Sequence, residues 1–457
     1  MICISVDGRA QVGSVLFESF GQVVAFHHRS HFLVAFRRCI DGRTAHNVTR
    51  TGNTREYMDQ GLHILVAGGG IGGLAVAYAL GRDGHDVTVI EQASEFGEIG
   101  AGIQLGPNVF RMFSYLDLTE AINEVAFFPS ALCMNDVCTG ERVVRMPLGD
   151  EGARTANGYP YGVIYRVDLH QVLLSACRAL PNIRLRTSAR LAHFEQSAGS
   201  VQVHLADGRR VDGDALVAAD GLWSKVREAI VGDGKPRVSG HVAYRAVLKR
   251  EDVPSHLWSD EVRLWGGEKT HLVHYPLRRG ELFNLVAVFH SSKYDEGWDT
   301  FGDASELRER FARACPQVQE LLARIEMWKM WVLCDRDPVM NWTDRRVTLL
   351  GDAAHPMLQY LAQGAGQAIE DAVVLREALC HASRDVALAF QLYQQTRYLR
   401  TARAQLTARF YGDIYHASGV TRELRNRLFQ SGTESAGFVG LQWMYDGINP
   451  KQLFRRD

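Results

Sequence analysis

The chain has almost no net charge and no long hydrophobic stretch. It carries 51 lysines and arginines against 52 acidic residues, a formal net charge of -1 at pH 7. This balance argues against a nucleic-acid groove and against a polybasic membrane surface. No run of roughly 18 apolar residues occurs, and the apolar segment near the start lacks the basic flank of a secretory signal. We therefore expect a cytoplasmic protein that neither spans a membrane nor binds nucleic acid.

Cysteine is scarce and dispersed. The eight cysteines are scattered from Cys3 to Cys380, and only Cys133 and Cys138 lie close together. The absence of a CxxC spacing argues against a disulfide framework or a zinc site and favours reduced thiols. HxH, HExxH and carboxylate clusters are absent as well, so the sequence predicts no metal site.

Residues 1–57 differ in character from the rest of the chain. His27, His28 and His31 crowd together, arginines are frequent, and no helical or strand period is visible. We expect a poorly ordered extension, with Met58 as an alternative start; a small accessory element packed on the remaining chain is the other interpretation. The length of 457 residues itself requires two or more packed units.

A βαβ unit begins at residue 62. The run 62–67 is almost wholly apolar, as a strand buried in a parallel sheet requires, and Asp86–Ile90 forms the second strand. The turn between them contains GxGxxG, whose glycines allow a tight turn, close approach of the backbone to a pyrophosphate and close packing of the helix. An acidic residue, Glu91, ends the second strand and can bind an adenosine ribose. The unit therefore predicts a dinucleotide site.

Two acidic-glycine pairs at strand ends favour a flavin over a nicotinamide as the resident cofactor. They are Asp220-Gly221 and Gly351-Asp352. A carboxylate at a strand end can hold the ribityl hydroxyls of FAD, which a nicotinamide cofactor does not need. Each pair alone is typical of a simple turn. A nicotinamide dehydrogenase with an accidental Gly351-Asp352 is thus the alternative.

Later segments predict a second sheet and a helical end. Alternating apolar residues flank Asp207-Gly208, which is a hairpin signal. Segments at 242–245, 271–276 and 282–289 indicate antiparallel strands. The stretch 386–430 is rich in Ala, Arg, Gln and Leu, which favours helix. A glycine-containing segment, 364–368, precedes a predicted helix over 369–381, whose N-terminus would favour an anionic reduced flavin by on the order of 1 kcal/mol.

Taken with the GDAAHP segment at 351–356, these motifs resemble the flavoprotein aromatic hydroxylases over nearly all of 62–450. The resemblance implies an α/β fold with a Rossmann-like, three-layer ββα FAD-binding domain. Residues 58–235 and 339–385 would form that domain, a mostly antiparallel substrate-binding sheet at 236–338 would interrupt it, and a helical region at 386–457 would close it. The resemblance assigns FAD to these residues: Gly68, Gly70, Gly73, Glu91, Gln104, Arg166, Asp220, Gly221, Gly351, Asp352, Pro356, Gly364, Ala365 and Gly366.

The same resemblance implies the reaction. Reduced flavin and O₂ would form a C4a-hydroperoxide in a dry cavity, with NADH or NADPH as electron donor, and a small phenolic acid would be hydroxylated. The segment LQYL at 358–361 resembles members that convert 3-hydroxybenzoate to gentisate. Salicylate and hydroxypyridine-carboxylate hydroxylases are the alternatives, and an FAD-binding redox protein without turnover is the alternative from another class. A homodimer is also compatible with these expectations.

Four residues are predicted to contact the substrate. His241 and Tyr244 would lie on one strand, and Gln359 and Tyr360 on a loop under the flavin; Tyr161 is a weaker candidate. Because alternate residues of a strand face opposite ways, His241 and Tyr244 can share a face only at a bulge or at the start of the strand. A hydrogen-bonded sheet histidine and a core tyrosine are the alternative interpretations.

Overall fold

The computed structural model describes residues 61–97, 100–148, 158–293, 300–431 and 436–454. The extension predicted at 1–57 lies outside them. Within the described ranges, no helix combines the length and the apolar composition that a bilayer crossing requires. The described helices are α1 Ile71–Arg82, α2 Pro107–Tyr115, α3 Thr119–Val125, α4 Arg166–Arg178, α5 Lys225–Ile230, α6 Ala304–Arg310, α7 Pro316–Ala323, α8 Gly364–His381, α9 Val386–Tyr415, α10 Gly419–Ser431 and α11 Ala436–Tyr445.

The strands form four sheets. They are β1 His63–Ala67, β2 Asp86–Ile90, β3 Gly102–Leu105, β4 Ala131–Asp136, β5 Arg142–Pro147, β6 Gly162–Tyr165, β7 Ile183–Arg186, β8 Leu191–Gln196, β9 Val201–Leu205, β10 Arg210–Gly213, β11 Ala215–Ala218, β12 Arg237–Lys249, β13 Val262–Gly267, β14 Thr270–Leu277, β15 Leu282–His290, β16 Thr300–Phe301, β17 Lys329–Asp335, β18 Thr343–Asp344 and β19 Val347–Leu349.

A six-stranded sheet contains the predicted βαβ unit. Its order is β18-β19-β11-β1-β2-β7, and every pair is parallel except β18 with β19. The residues of β1 from Ile64 to Ala67 are buried, because both faces of a parallel sheet are covered, and side chains of the three-stranded sheet β8–β10 share the core with β1. Helix α1 connects β1 to β2 as predicted, and the predicted hairpin at Asp207-Gly208 joins β9 to β10.

An eight-stranded sheet is the largest of the four. Its order is β16-β17-β12-β15-β14-β13-β4-β5, and all its pairs are antiparallel except β13 with β4. The antiparallel strands predicted at 242–245, 271–276 and 282–289 lie within it. Strands β4 and β5 come from far upstream, so the sheet extends beyond the predicted range 236–338. The pairing of β4 with β13 is non-local, and no local pattern in the sequence marks it.

Helix α8 begins earlier than the sequence predicts. The prediction placed Gly364 to Gly366 before the helix, whereas they form its first turn, after Gln363 as the N-cap residue. Ala362 adopts a left-handed conformation with φ 52°, which ends the preceding 3₁₀ turn, Gln359–Leu361. The helix N-terminus lies beside Asp352.

A buried cluster of charges joins α8 to α9. Arg397 of α9 donates to Glu370 at 2.5 Å and to Asp371 at 2.6 Å, and all three side chains are fully buried. Arg400 adds two 2.7 Å bonds to Glu370. Asp371 also accepts the Gly351 backbone N–H at 3.0 Å, so the cluster connects the two helices to the acidic-glycine turn.

Candidate flavin and substrate site

The glycine turn between β1 and α1 is shaped for a phosphate. Gly68 has φ 102°, a conformation that favours glycine, and a Cβ at Gly73 would lie 1.9 Å from the Gly68 carbonyl oxygen. Gly70 is the N-cap residue of α1, and no side chain of the described residues caps that helix end. The first backbone N–H groups of α1 and the positive end of its dipole can therefore bind a pyrophosphate.

Glu91 lies where the sequence predicts it, beside the glycine turn. One carboxylate oxygen accepts the Gly69 N–H at 2.7 Å, and the other accepts the Ala93 N–H at 2.8 Å. His170 of α4 bonds to the Gly69 carbonyl oxygen at 2.8 Å. Because a carboxylate oxygen has more than one lone pair, Glu91 can still accept from a ribose hydroxyl.

The first acidic-glycine pair follows β11, at the same edge of the parallel sheet as the glycine turn. Asp220 Oδ2 accepts the Lys225 N–H at 2.9 Å, at the start of α5. Its Oδ1 is sealed from solvent and has no hydrogen-bond partner among the described residues. Burial raises the pKa of Asp220. A buried acceptor without a partner is costly, and a hydroxyl group of a cofactor would satisfy it. Gly221 adjoins this orphaned oxygen.

The second acidic-glycine pair lies at the N-terminus of α8. A Cβ at Gly364 would lie 3.9 Å from Asp352 Oδ1, which places the carboxylate beside the first turn of the helix. Ala365 and Gly366 continue that turn, and a Cβ at Gly366 would lie 2.7 Å from Val109. The backbone of this helical turn is therefore open on the side of Asp352 and tightly packed on the side of Val109. Such a backbone allows the flat flavin ring to approach it closely from the open side.

The remaining predicted cofactor residues border the same region. Arg166 begins α4, and its N–H donates to the Ala101 carbonyl oxygen at 2.8 Å. Gln104 on β3 accepts from the Tyr161 hydroxyl at 2.6 Å. Pro356, four residues after Asp352, is buried, and its carbonyl oxygen accepts a hydrogen bond from Gln405 at 3.0 Å.

His241 and Tyr360 are brought together. The Tyr360 hydroxyl and His241 Nδ1 lie 2.8 Å apart, between the eight-stranded sheet and the 3₁₀ turn before α8. Burial lowers the pKa of His241 to about 4, with a smaller contribution from His290. The imidazole is therefore neutral at physiological pH and can accept a proton or a hydrogen bond.

Tyr244 does not belong to this group. Its ring packs on Phe289 and Trp328 on the opposite face of the sheet, and its hydroxyl accepts the Asp303 N–H at 2.9 Å. An irregularity in the β12–β17 pairing occurs between Val238 and Val242, but the alternation from His241 onward is regular. The prediction of Tyr244 as a substrate residue is therefore corrected: this side chain is part of the core.

Alternation places another residue, Arg245, on the His241 face instead. Its guanidinium donates to Gln359 Oε1 and lies 4.0 Å from the centroid of the Trp331 ring. No carboxylate of the described residues forms an ion pair with Arg245, and its Nε is sealed from solvent without a partner. Burial, together with nearby Arg166, lowers the pKa of Arg245 to about 9, so it remains cationic at neutral pH. This residue was not among those predicted from the sequence, although the two-residue period from His241 indicates it.

Comparison with known proteins identifies the family. Residues 62–409 match the family described as FAD binding domain. Over 396 residues the chain is 47% identical to the 3-hydroxybenzoate 6-hydroxylase of Polaromonas naphthalenivorans (strain CJ2), covering 87% of this chain and 98% of that protein. The chain belongs to the FAD-dependent aromatic hydroxylases. The predicted family, fold class and resident flavin are thereby confirmed, and this hydroxylase is an aromatic-ring monooxygenase.

Other relatives of the hydroxylase are named for different substrates. The 6-hydroxynicotinate 3-monooxygenase of Bordetella bronchiseptica (strain ATCC BAA-588 / NCTC 13252 / RB50) is 34% identical over 347 residues, 75% of this chain and 89% of that protein. The crystal structure of Klebsiella pneumoniae HpxO complexed with FAD and uric acid superposes with a TM-score of 0.74. It is 26% identical and covers 84% of this chain and 96% of that one. The shared fold thus accommodates chemically distinct rings.

Replacing Asp352 with alanine is expected to weaken FAD binding. The ribityl chain would lose a charged acceptor worth roughly 1.5–3 kcal/mol, which corresponds to about 10- to 150-fold in affinity. Fluorescence titration of the apoprotein with FAD measures the change. Asp207→Ala, in the exposed hairpin, is the control and should bind FAD like the parent. Equal affinities for both variants would contradict the assignment of Asp352.

Proposed function

We propose that this hydroxylase converts 3-hydroxybenzoate to 2,5-dihydroxybenzoate (gentisate), with NADH as electron donor and O₂ as co-substrate. The observation that carries the proposal is Arg245, a cation without a carboxylate partner among the described residues, on the sheet face that also bears His241. Its relatives support the proposal, since one at 47% identity is named 3-hydroxybenzoate 6-hydroxylase. FAD, when bound, supplies the chemistry of accepting two electrons from a reduced nicotinamide and passing them to O₂.

Arg245 would bind the carboxylate of the substrate. A buried guanidinium without an anionic partner is costly, and a bidentate carboxylate satisfies its fork of donors. Arg166 adds positive potential to the same region, because it contributes to the lowered pKa of Arg245. Gln359, the neutral partner, can hold the guanidinium in place without neutralising it. This arrangement selects an aromatic acid over a neutral phenol.

His241 would interact with the phenolic hydroxyl. It lies four residues from Arg245 on one face of β12, a span of about 13 Å along the strand, from which the two side chains can reach opposite ends of a substituted ring. A hydrogen bond in which the phenolic proton is drawn towards the neutral His241 imidazole would raise electron density at the ring carbons ortho and para to the oxygen. Tyr360 holds Nδ1 of His241, which leaves Nε2 directed elsewhere for the substrate. C6 of 3-hydroxybenzoate is para to the hydroxyl and becomes the site of attack.

A closed apolar wall would keep water from the reacting atoms. Tyr161, Tyr275 and Tyr445 are buried in one cluster with Leu358 and Met444, between the eight-stranded sheet and α11. Burial raises the pKa of each of these tyrosines, so they remain neutral. On this proposal, residues 58–235 and 339–385 bind FAD, and the eight-stranded sheet carries the substrate.

The proposal is tested by a panel of hydroxybenzoates and hydroxypyridine carboxylates. Each compound is supplied with NADH or NADPH to the flavin-loaded protein, while O₂ uptake is recorded and the products are separated by chromatography. The expected result is stoichiometric gentisate from 3-hydroxybenzoate. Formation of catechol from salicylate, or turnover of a hydroxypyridine carboxylate alone, would show that the proposed substrate is wrong. A yellow protein that oxidises no nicotinamide with any compound would favour a redox protein without turnover.

Arg245→Met tests the carboxylate contact directly. Methionine keeps much of the volume and removes the charge, so KM for 3-hydroxybenzoate should rise by roughly 10- to 150-fold, the value of a charged hydrogen bond. The neutral analogue 3-hydroxybenzamide serves as the substrate control, and the parent should use it poorly. Steady-state kinetics should show that the variant no longer discriminates between acid and amide. If the variant still prefers the acid to the amide, Arg245 does not bind the substrate carboxylate.

A further inference from the structure

A second group of chemically reactive side chains lies on the hairpin formed by β8 and β9. His193 and Glu195 are two residues apart on β8 and share one face, and His204 on β9 lies directly opposite His193. One ligand atom from each residue, an imidazole nitrogen or a carboxylate oxygen, lies within 4.8 Å of the others. The first two side chains are exposed, so an ion in solution can reach them.

The group contains a nitrogen without a hydrogen-bond partner. His204 Nε2 is sealed from solvent, forms no hydrogen bond with the described residues, and lies 3.6 Å from Glu195 Oε1. The rings of His193 and His204 are stacked, with centroids 4.2 Å apart and planes 19° apart. Arg210, opposite His204 on β10, forms no ion pair with Glu195 among the described contacts. The carboxylate is therefore not neutralised by Arg210.

We propose that His193, Glu195 and His204 form a binding site for Zn²⁺, independent of the flavin and the aromatic substrate. Two imidazoles and one carboxylate are ligands that zinc prefers, and a water molecule would complete a tetrahedral site. Calcium and magnesium are disfavoured because they prefer oxygen ligands. The sequence predicts no metal site because the third ligand is nine positions from the second, and only the hairpin brings it into place.

The bound ion would act as a cross-link between two strands. Ligands on both β8 and β9 would fix the register of the hairpin, in which the pairing is irregular between Leu191 and His193. Strand β8 packs against α5, the helix whose first N–H groups bond to Asp220. Zinc binding should therefore raise the temperature at which the flavin-loaded protein unfolds, since a ligand that binds only the folded state stabilises it.

The test uses the flavin-loaded full chain without an affinity tag, treated with EDTA and dialysed. Calorimetric titration with Zn²⁺ should show one tightly bound zinc ion per protein chain. His193→Ala and His204→Ala should each weaken its binding at least about tenfold, since even loss of a group that only orients a ligand costs that much. Glu195→Gln keeps the shape, removes the charge and should weaken binding as well. Cu²⁺ bound at the same site should give an electron paramagnetic resonance spectrum with coupling to two imidazole nitrogens.

His256→Ala is the matched control. His256 and Glu320 form an exposed pair at 2.9 Å, and no third ligand among the described residues completes a metal group with them, so loss of His256 should leave the tightly bound zinc unchanged. Flavin absorbance confirms that each variant is folded. The proposal is overturned if the parent binds no stoichiometric zinc, if the three site variants bind it as the parent does, or if His256→Ala removes it.

Discussion

Replacing His241 with alanine is expected to uncouple NADH oxidation from hydroxylation. Flavin reduction should continue, because the residue lies on the eight-stranded sheet and not at the glycine turn. Ring attack should slow by about 10²- to 10⁴-fold, the usual effect of losing an acid–base group. Hydrogen peroxide should then replace the aromatic product. The measurement is peroxide and product formed per NADH oxidised, with 3-hydroxybenzoate present.

Tyr244→Phe provides the control for this experiment. The two residues are three positions apart on β12 but face opposite sides of the sheet, so the phenylalanine variant should stay fully coupled. It should lose only the bond from the Asp303 N–H, at a stability cost of about 1 kcal/mol. If His241→Ala still couples NADH oxidation to hydroxylation, or if Tyr244→Phe does not, the substrate does not lie on the sheet face that bears His241.

Arg397→Ala is expected to destabilise the protein by about 3–5 kcal/mol, because it leaves Glu370 and Asp371 buried with one guanidinium fewer. Urea unfolding of the flavin-loaded protein, followed by tryptophan fluorescence, gives the free energy of unfolding. Arg376→Ala is the control, on α8, the helix that also carries Glu370 and Asp371. Its partner Asp83 is partly exposed, so the loss should be below about 1 kcal/mol. Similar losses for both would mean that the buried cluster contributes no more than a surface ion pair.

The same cluster predicts a pH dependence of stability. Arg400 and Arg397 outweigh the opposing effect of burial and lower the pKa of Glu370 to about 2, below the ordinary value of 4.5. A carboxyl group whose pKa is depressed on folding contributes stability that is present above its unfolded pKa and is lost as the pH falls through the folded one. The free energy of unfolding of the parent should therefore decrease between about pH 4.5 and pH 2.

The sequence was most informative where a function requires a local backbone shape. The glycine turn after β1 and the acidic-glycine pairs are contiguous motifs, and the structure places them along one edge of the parallel sheet. Side chains that meet across the fold were harder to predict. Arg245 could have been found from the alternation of β12, whereas the bond between Tyr360 and His241 depends on how a distant loop folds under the sheet. His204 likewise meets His193 only through strand pairing.

The upstream origin of β4 and β5 affects how the chain can fold. These strands are synthesised well before β13, the partner that β4 requires, so their edge stays unpaired until the later strand emerges. Contacts so distant in the chain close slowly, because a long loop must be ordered first. A fragment cut at residues 236 and 338 would lack two strands and expose the edge of β13. Such a fragment should aggregate rather than fold, so the eight-stranded sheet cannot be transferred to another protein as a contiguous module.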